Sequence, residues 1–172
     1  NIPTESNMAD HMFGNLYSHV NREWEKKLGW PLFLSLSRED QYNLSHLRIP
    51  ITDSQQEFDQ QVLSLVKVLI DSLNEKKLRG KNGESAPKGI GKLQNWLECN
   101  SFKNYEEHIV FLRNLQELRS AGSGHRKGKS YSKISEKFGL TEKSTIDVFE
   151  SVLLKANAFL EYLLVNIPKR AE

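Results

Sequence analysis

One cysteine, Cys99, stands in the whole chain of 172 residues. A disulfide framework and a cysteine-based zinc site are both excluded within one chain, and a reducing cytoplasm is the expected setting. Charge of one sign is equally scarce: 24 Lys and Arg face 22 Asp and Glu, a net charge of +2. That excludes a globally basic coat for nucleic acid, but not a local basic patch. No apolar run approaches the length of a membrane span, so no membrane partner is expected. The N-terminal residues form neither a basic nor an apolar signal segment. Strand-like alternation is confined to Trp30–Leu36. The chain starts at Asn1 rather than Met, as a trimmed, processed or excised domain would.

What is present is enough apolar residue, 38% against 27% charged, to fill a packed core. The periodicity predicts an all-α helical bundle of roughly five to seven helices in a single domain. Phe13, Leu16, Val20 and Trp24 recur at helical spacing and predict a helix from about Ala9 to Leu28, stopped by Gly29. A short helix is expected over about Arg38–Leu47. The clearest helix signal runs from Ser54 to Arg79. Ser54 and Glu57 have the spacing of a capping box, and Phe58, Val62, Leu65, Leu69 and Leu73 form one stripe. Glycines between Gly80 and Gly91 predict a loop. Further helices are expected over about Ile90–Cys99, Tyr105–Ser120, Tyr131–Phe138 and Thr141–Ile167. The last has an apolar face broad enough to require a helical partner, within the chain or across a dimer. Trp24, Trp30 and Trp96 read as core or interface anchors.

The segment that carries chemistry begins at Arg119. Between Arg119 and Lys137 there are six Lys or Arg and one Glu, a local charge of about +5 in a chain whose total is +2. Such a concentration attracts phosphate. Arg119 falls in line with Leu112 and Leu115, so a guanidinium sits at the edge of an apolar stripe and needs a partner or a function. His125 lies six residues later, with Gly122 and Gly124 between them. An imidazole exchanges protons near neutral pH, and an arginine can hold a phosphate through two N–H groups. Together they suit RNA cleavage without a metal: the histidine takes a proton from the ribose 2′-OH or gives one to the leaving oxygen, and the arginine stabilises the added negative charge.

The motif Arg119-Ser-Ala-Gly-Ser-Gly-His125, lying between two long helices, resembles the signature of the HEPN superfamily. The resemblance covers the helical core from about Ser54 to Ile167, and leaves an N-terminal extension of about fifty residues outside it. It implies a metal-independent endoribonuclease or an RNA-binding module without cofactor, commonly a homodimer that brings two motifs into one cleft. Toxin, anti-phage defence and effector-domain roles within a longer chain are implied with it. By resemblance Arg119 binds phosphate and His125 is the acid–base residue, while Arg126, Lys127, Lys129 and Lys133 would guide the RNA backbone. Ser120 comes directly after the arginine where many active members have Asn, Asp or His; a hydroxyl can still donate and accept a hydrogen bond.

Other readings of the same residues stand beside this one. Arg119 can pair with a carboxylate such as Glu117 or Glu107, with His125 in a solvated loop. Ser132–Ile146 looks like a helix-turn-helix of a DNA-binding regulator. The long final helix can serve a non-catalytic dimerisation or interaction module. His11, His19, His46 and His108 lack the spacing of a metal site, so no metal is expected.

Overall fold

The computed structural model describes residues 5–78, 88–122 and 128–167, with the side chains of residues 9 onward in the first of these. Seven α-helices lie among them: α1 Glu5–Leu28, α2 Arg38–Ser45, α3 Gln55–Val66, α4 Ile90–Cys99, α5 Glu106–Gly122, α6 Lys129–Phe138 and α7 Thr145–Asn166. The all-α bundle expected from periodicity is what forms.

The most extensive helix pair is α1 against α7. The final helix carries a stripe too broad to be covered from one side, and α1 brings a single narrower stripe to it. Phe13, Val20 and Trp24 of α1 and Phe149, Val152, Leu153, Ala156 and Leu160 of α7 are all buried. The final helix therefore finds its helical partner within the chain. Asn157 lies inside this pair and donates to the Ala9 carbonyl at 3.0 Å. Residues 9–50 are accordingly part of the core, because one buried apolar cluster runs from Ala9 through α3, α4 and α5 to Ile167. The three tryptophans meet in it, Trp24 against Trp96 with ring centroids 5.0 Å apart and against Trp30 at 5.6 Å.

The largest departure from the expected helices concerns Ser54–Arg79. The α-helix stops at Val66, continues as one π-helical turn over Lys67–Asp71, and then leaves helical geometry. Val68 is buried along with Leu65, Val66, Leu69 and Ile70, so the π turn stays packed in the core. The exit is held by the strand-like stretch near Trp30. Leu34 N–H donates to the Ser72 carbonyl at 2.7 Å, Asn74 N–H to the Leu32 carbonyl at 2.8 Å, and Phe33 and Leu73 form an isolated antiparallel bridge. Asn21 serves Phe33 as a second strand would, accepting from its N–H at 2.9 Å and donating to its carbonyl at 3.0 Å. These long-range backbone bonds replace the final helical turns that the sequence pattern predicts, so Lys76 and Lys77 are not in a helix. Arg79 lies outside the described residues.

Two helix starts are capped otherwise than expected. Only half of the capping box closes. The Ser54 hydroxyl accepts from Glu57 N–H at 3.3 Å, but the Glu57 carboxylate turns back to Ile51 N–H, Thr52 N–H, the Thr52 hydroxyl and Arg48. The last helix begins at Thr145 rather than Thr141. Gly139 takes the left-handed conformation (φ 77°) that closes α6, the next residues form a turn on its carbonyl, and Ser144 caps α7 by accepting from Asp147 N–H at 3.1 Å. The expected glycine-rich loop falls mostly on undescribed residues, although its end at Ile90 and Gly91 is already the buried first turn of α4.

Candidate functional site

Arg119 lies in the last turn of α5. Leu112, Leu115 and Leu118 are buried on the side of the helix that meets the core, and Arg119 stands at the edge of that stripe with 26% of its side chain exposed. Its partner is neither Glu117 nor Glu107 but Asp71, whose carboxylate accepts from the Arg119 guanidinium at 2.7 Å. Asp71 is the last residue of the π turn and lies forty-eight positions from Arg119 in sequence, so the contact ties that turn to α5. A guanidinium has five N–H donors in a planar fork, so one ion pair leaves donors for a second anion.

Beside Arg119 a groove of about 400 Å3 opens between α3 and α5. Gln56, Asp59 and Gln60 supply polar walls, and Val62, Leu63 and Leu118 an apolar floor. Asp59 accepts from the Gln55 amide at 2.8 Å, and the same amide reaches the Tyr131 hydroxyl at 2.8 Å, tying α3 to α6 across the end of the groove. The Ser120 hydroxyl donates back to the Gln116 carbonyl at 3.0 Å.

His125, Arg126 and Lys127 lie outside the described residues. The chain enters that segment at Gly122, which lines the groove, and leaves it at Gly128. Lys129 and Lys133 are exposed on α6, which packs against α5. Cations from the basic segment are thus present on the element that comes after the motif.

The Ser132–Ile146 segment does form helix, turn and helix, but its second helix is built as a core element. Val148, Phe149, Val152 and Leu153 are buried from the first turns onward. Its N-terminus is occupied by Asp53, which accepts from both the N–H and the hydroxyl of Thr145 at 2.6 Å. Those two bonds, the hydroxyl first, hold the Asp53 carboxyl below its ordinary value, so it is an anion where a recognition helix would meet DNA phosphates. This geometry counts against a DNA-reading role.

His11, His19 and His46 are exposed. His108 is half-buried against Phe159 and Tyr162, and burial holds it below its ordinary value. No cluster of three or more His, Cys, Asp or Glu suited to a metal occurs among the described residues. No helix among them is long and apolar enough to cross a membrane.

Comparison with known proteins gives no matching family model, curated protein or solved structure. Sequence reasoning missed Asp71, Gln56, Asp59 and Gln60. Nothing in the local spacing marks them, since they reach the site through the packing of α3 and the turn that follows it against α5.

Proposed function

We propose that the chain is a HEPN-like, metal-independent endoribonuclease or RNA-binding module, with the α3–α5 groove as its phosphate-binding site. The observation that carries this reading is the position of Arg119. It is a partly exposed guanidinium already oriented by Asp71, on the rim of an open groove, one helical turn before the segment that holds His125. In this reading Arg119 binds the scissile phosphate. His125 takes the 2′-OH proton as the 2′-oxygen attacks phosphorus, or returns a proton to the departing 5′-oxygen. The charge that accumulates on the phosphoryl oxygens is met by the guanidinium. Lys129 and Lys133, with Arg126 and Lys127, attract the RNA backbone. A homodimer that joins two such motifs, a toxin or anti-phage effector role in the cytoplasm, and attachment to further domains belong to the same proposal.

The test is cleavage of unstructured RNA in EDTA by the native chain, His125→Ala and Arg119→Ala. Cleavage that resists EDTA and is lost in both variants supports the reading. Cleavage that both variants retain would overturn the assignment of these two residues. RNA binding without cleavage would leave the binding module and remove the enzyme.

A further inference from the structure

A second depression, of about 390 Å3, lies between α2 and α3. It adjoins the Arg119 groove, because Gln56 and Gln60, one turn apart on α3, line both. On its far side Tyr42 and His46 stack with ring centroids 3.7 Å apart and planes 23° from parallel. Tyr42 is 62% exposed, so the ring face turned away from His46 is open to solvent. The stack is fixed from below. His46 Nδ1 lies 2.9 Å from the Tyr42 carbonyl, a hydrogen bond that the Nδ1–H tautomer makes and that orients the ring. Ser45 adds a contact to the same nitrogen at 2.9 Å. The polar floor is already satisfied: Gln61 accepts from Arg48 N–H and donates to the His46 carbonyl, and Asn43 accepts from Ser64. Gln56 and Gln60 differ, as both amides are exposed and neither makes a side-chain hydrogen bond among the described residues.

We propose that this depression is a subsite for one unpaired base of single-stranded RNA, next to the phosphate that Arg119 holds. The inference rests on the RNA reading above. Unpaired bases stack on exposed aromatic faces, whereas duplex bases hide theirs, so a Tyr platform beside a phosphate site selects single strands. The free amides of Gln56 and Gln60 each offer a donor and an acceptor to a base edge. The carboxylates along the path are engaged. Glu57 is bonded to residues 51 and 52 and to Arg48, and Asp59 to Gln55. The subsite also assigns a task to α2, which lies in the N-terminal region that the HEPN resemblance does not cover.

The experiment uses the His125→Ala chain, so that the probe survives, and a fluorescein-labelled unpaired RNA of about ten nucleotides read by fluorescence anisotropy. Adding Tyr42→Ala should weaken binding roughly 5- to 100-fold, the range for loss of one base–aromatic stack. Tyr42→Phe, which keeps the ring, should bind within about twofold, and duplex RNA of the same sequence should be indifferent to either change. Circular dichroism of the exposed-site variants confirms that the helices persist. Unchanged affinity in Tyr42→Ala, with loss in Arg119→Ala, overturns the subsite and leaves the RNA reading standing. Equal losses in Tyr42→Ala and Tyr42→Phe, or on single-stranded and duplex RNA, overturn stacking. No binding of the probe by the His125→Ala chain overturns both the RNA reading and the subsite.

Discussion

Removing Arg119 and removing Asp71 break the same ion pair, yet the two changes should have different consequences. The guanidinium and carboxylate are 2.7 Å apart with 26% and 44% of their side chains exposed. A pair so open to solvent contributes about 0.2–1 kcal/mol to stability. The Arg119 stem, at the edge of the apolar stripe, adds a packing contribution of about 1 kcal/mol. Arg119→Ala should thus cost less than about 2 kcal/mol, and Asp71→Ala less than about 1. For a chain of this size the melting temperature falls by about 2–4 °C per kcal/mol, so both variants remain folded at 25 °C. Under the proposed function, activity should separate them. Loss of a charge-assisted contact to the transition state costs about 100- to 1,000-fold in rate, while loss of a residue that only steadies the contact should cost less. Thermal unfolding and single-turnover RNA cleavage in EDTA, run on both variants, give the two numbers. Equal rate losses would show that the effect travels through the ion pair rather than through phosphate. A stability loss above about 4 kcal/mol in Arg119→Ala would show the residue to be structural.

The fold makes three further outcomes testable. The Glu57 carboxyl is held at about 2, below its ordinary 4.5, first by the Thr52 hydroxyl and then by the Ile51 and Thr52 N–H groups. A depressed carboxyl contributes stability in full above its unfolded value and loses it as the pH falls through the folded one. Urea unfolding should therefore show the native chain losing its advantage over Glu57→Gln between pH of about 5 and about 2, and a constant difference would refute this. Ser144→Ala removes the cap of α7 and should cost about 1 kcal/mol, a melting shift of about 2–4 °C; no shift would mean that Asp53 alone holds that helix start. Phe149→Ala opens a cavity where Phe58 and Phe149 meet edge to face at 6.2 Å, and should cost about 3–5 kcal/mol by denaturant titration; a loss below about 1 kcal/mol would contradict the burial argument.

Helix type and rough extent were legible because they arise from a 3.6-residue period read over many positions. Ile90–Cys99 matches to the residue, and Phe13, Val20 and Trp24 are buried as their spacing requires. The end of the Ser54 helix was not legible, because what stops it is Leu32 and Leu34, whose backbone groups bond Asn74 and Ser72 from forty residues away. Local propensity favours continuing the helix; two long-range backbone bonds and the Phe33–Leu73 bridge outweigh it. The same holds for the site. Arg119 was visible as a charge on an apolar stripe, but its partner was not, since Asp71 is brought to it by the packing of elements forty-eight residues apart.

The π turn links the N-terminal segment to the candidate site. Asp71 is the last residue of the turn, and Ser72, the next one, is fixed on both sides: its hydroxyl donates to the Val68 carbonyl at 2.5 Å and meets the Tyr17 hydroxyl at 3.3 Å, and its carbonyl accepts from Leu34 N–H. Loosening this knot should free Asp71, and with it Arg119, although none of these groups lines the groove. Tyr17→Phe removes one hydroxyl contact and leaves the ring stacked on Phe33 at 4.6 Å, so the core stays filled. Asn21→Ala instead removes both bonds to Phe33 and leaves a buried backbone N–H and carbonyl without that partner, at about 1–3 kcal/mol each. If the segment positions the site, Asn21→Ala should lower single-turnover cleavage by more than Tyr17→Phe while the protein stays folded. Identical rates in the two variants and the native chain would mean that Arg119 is held by α5 alone.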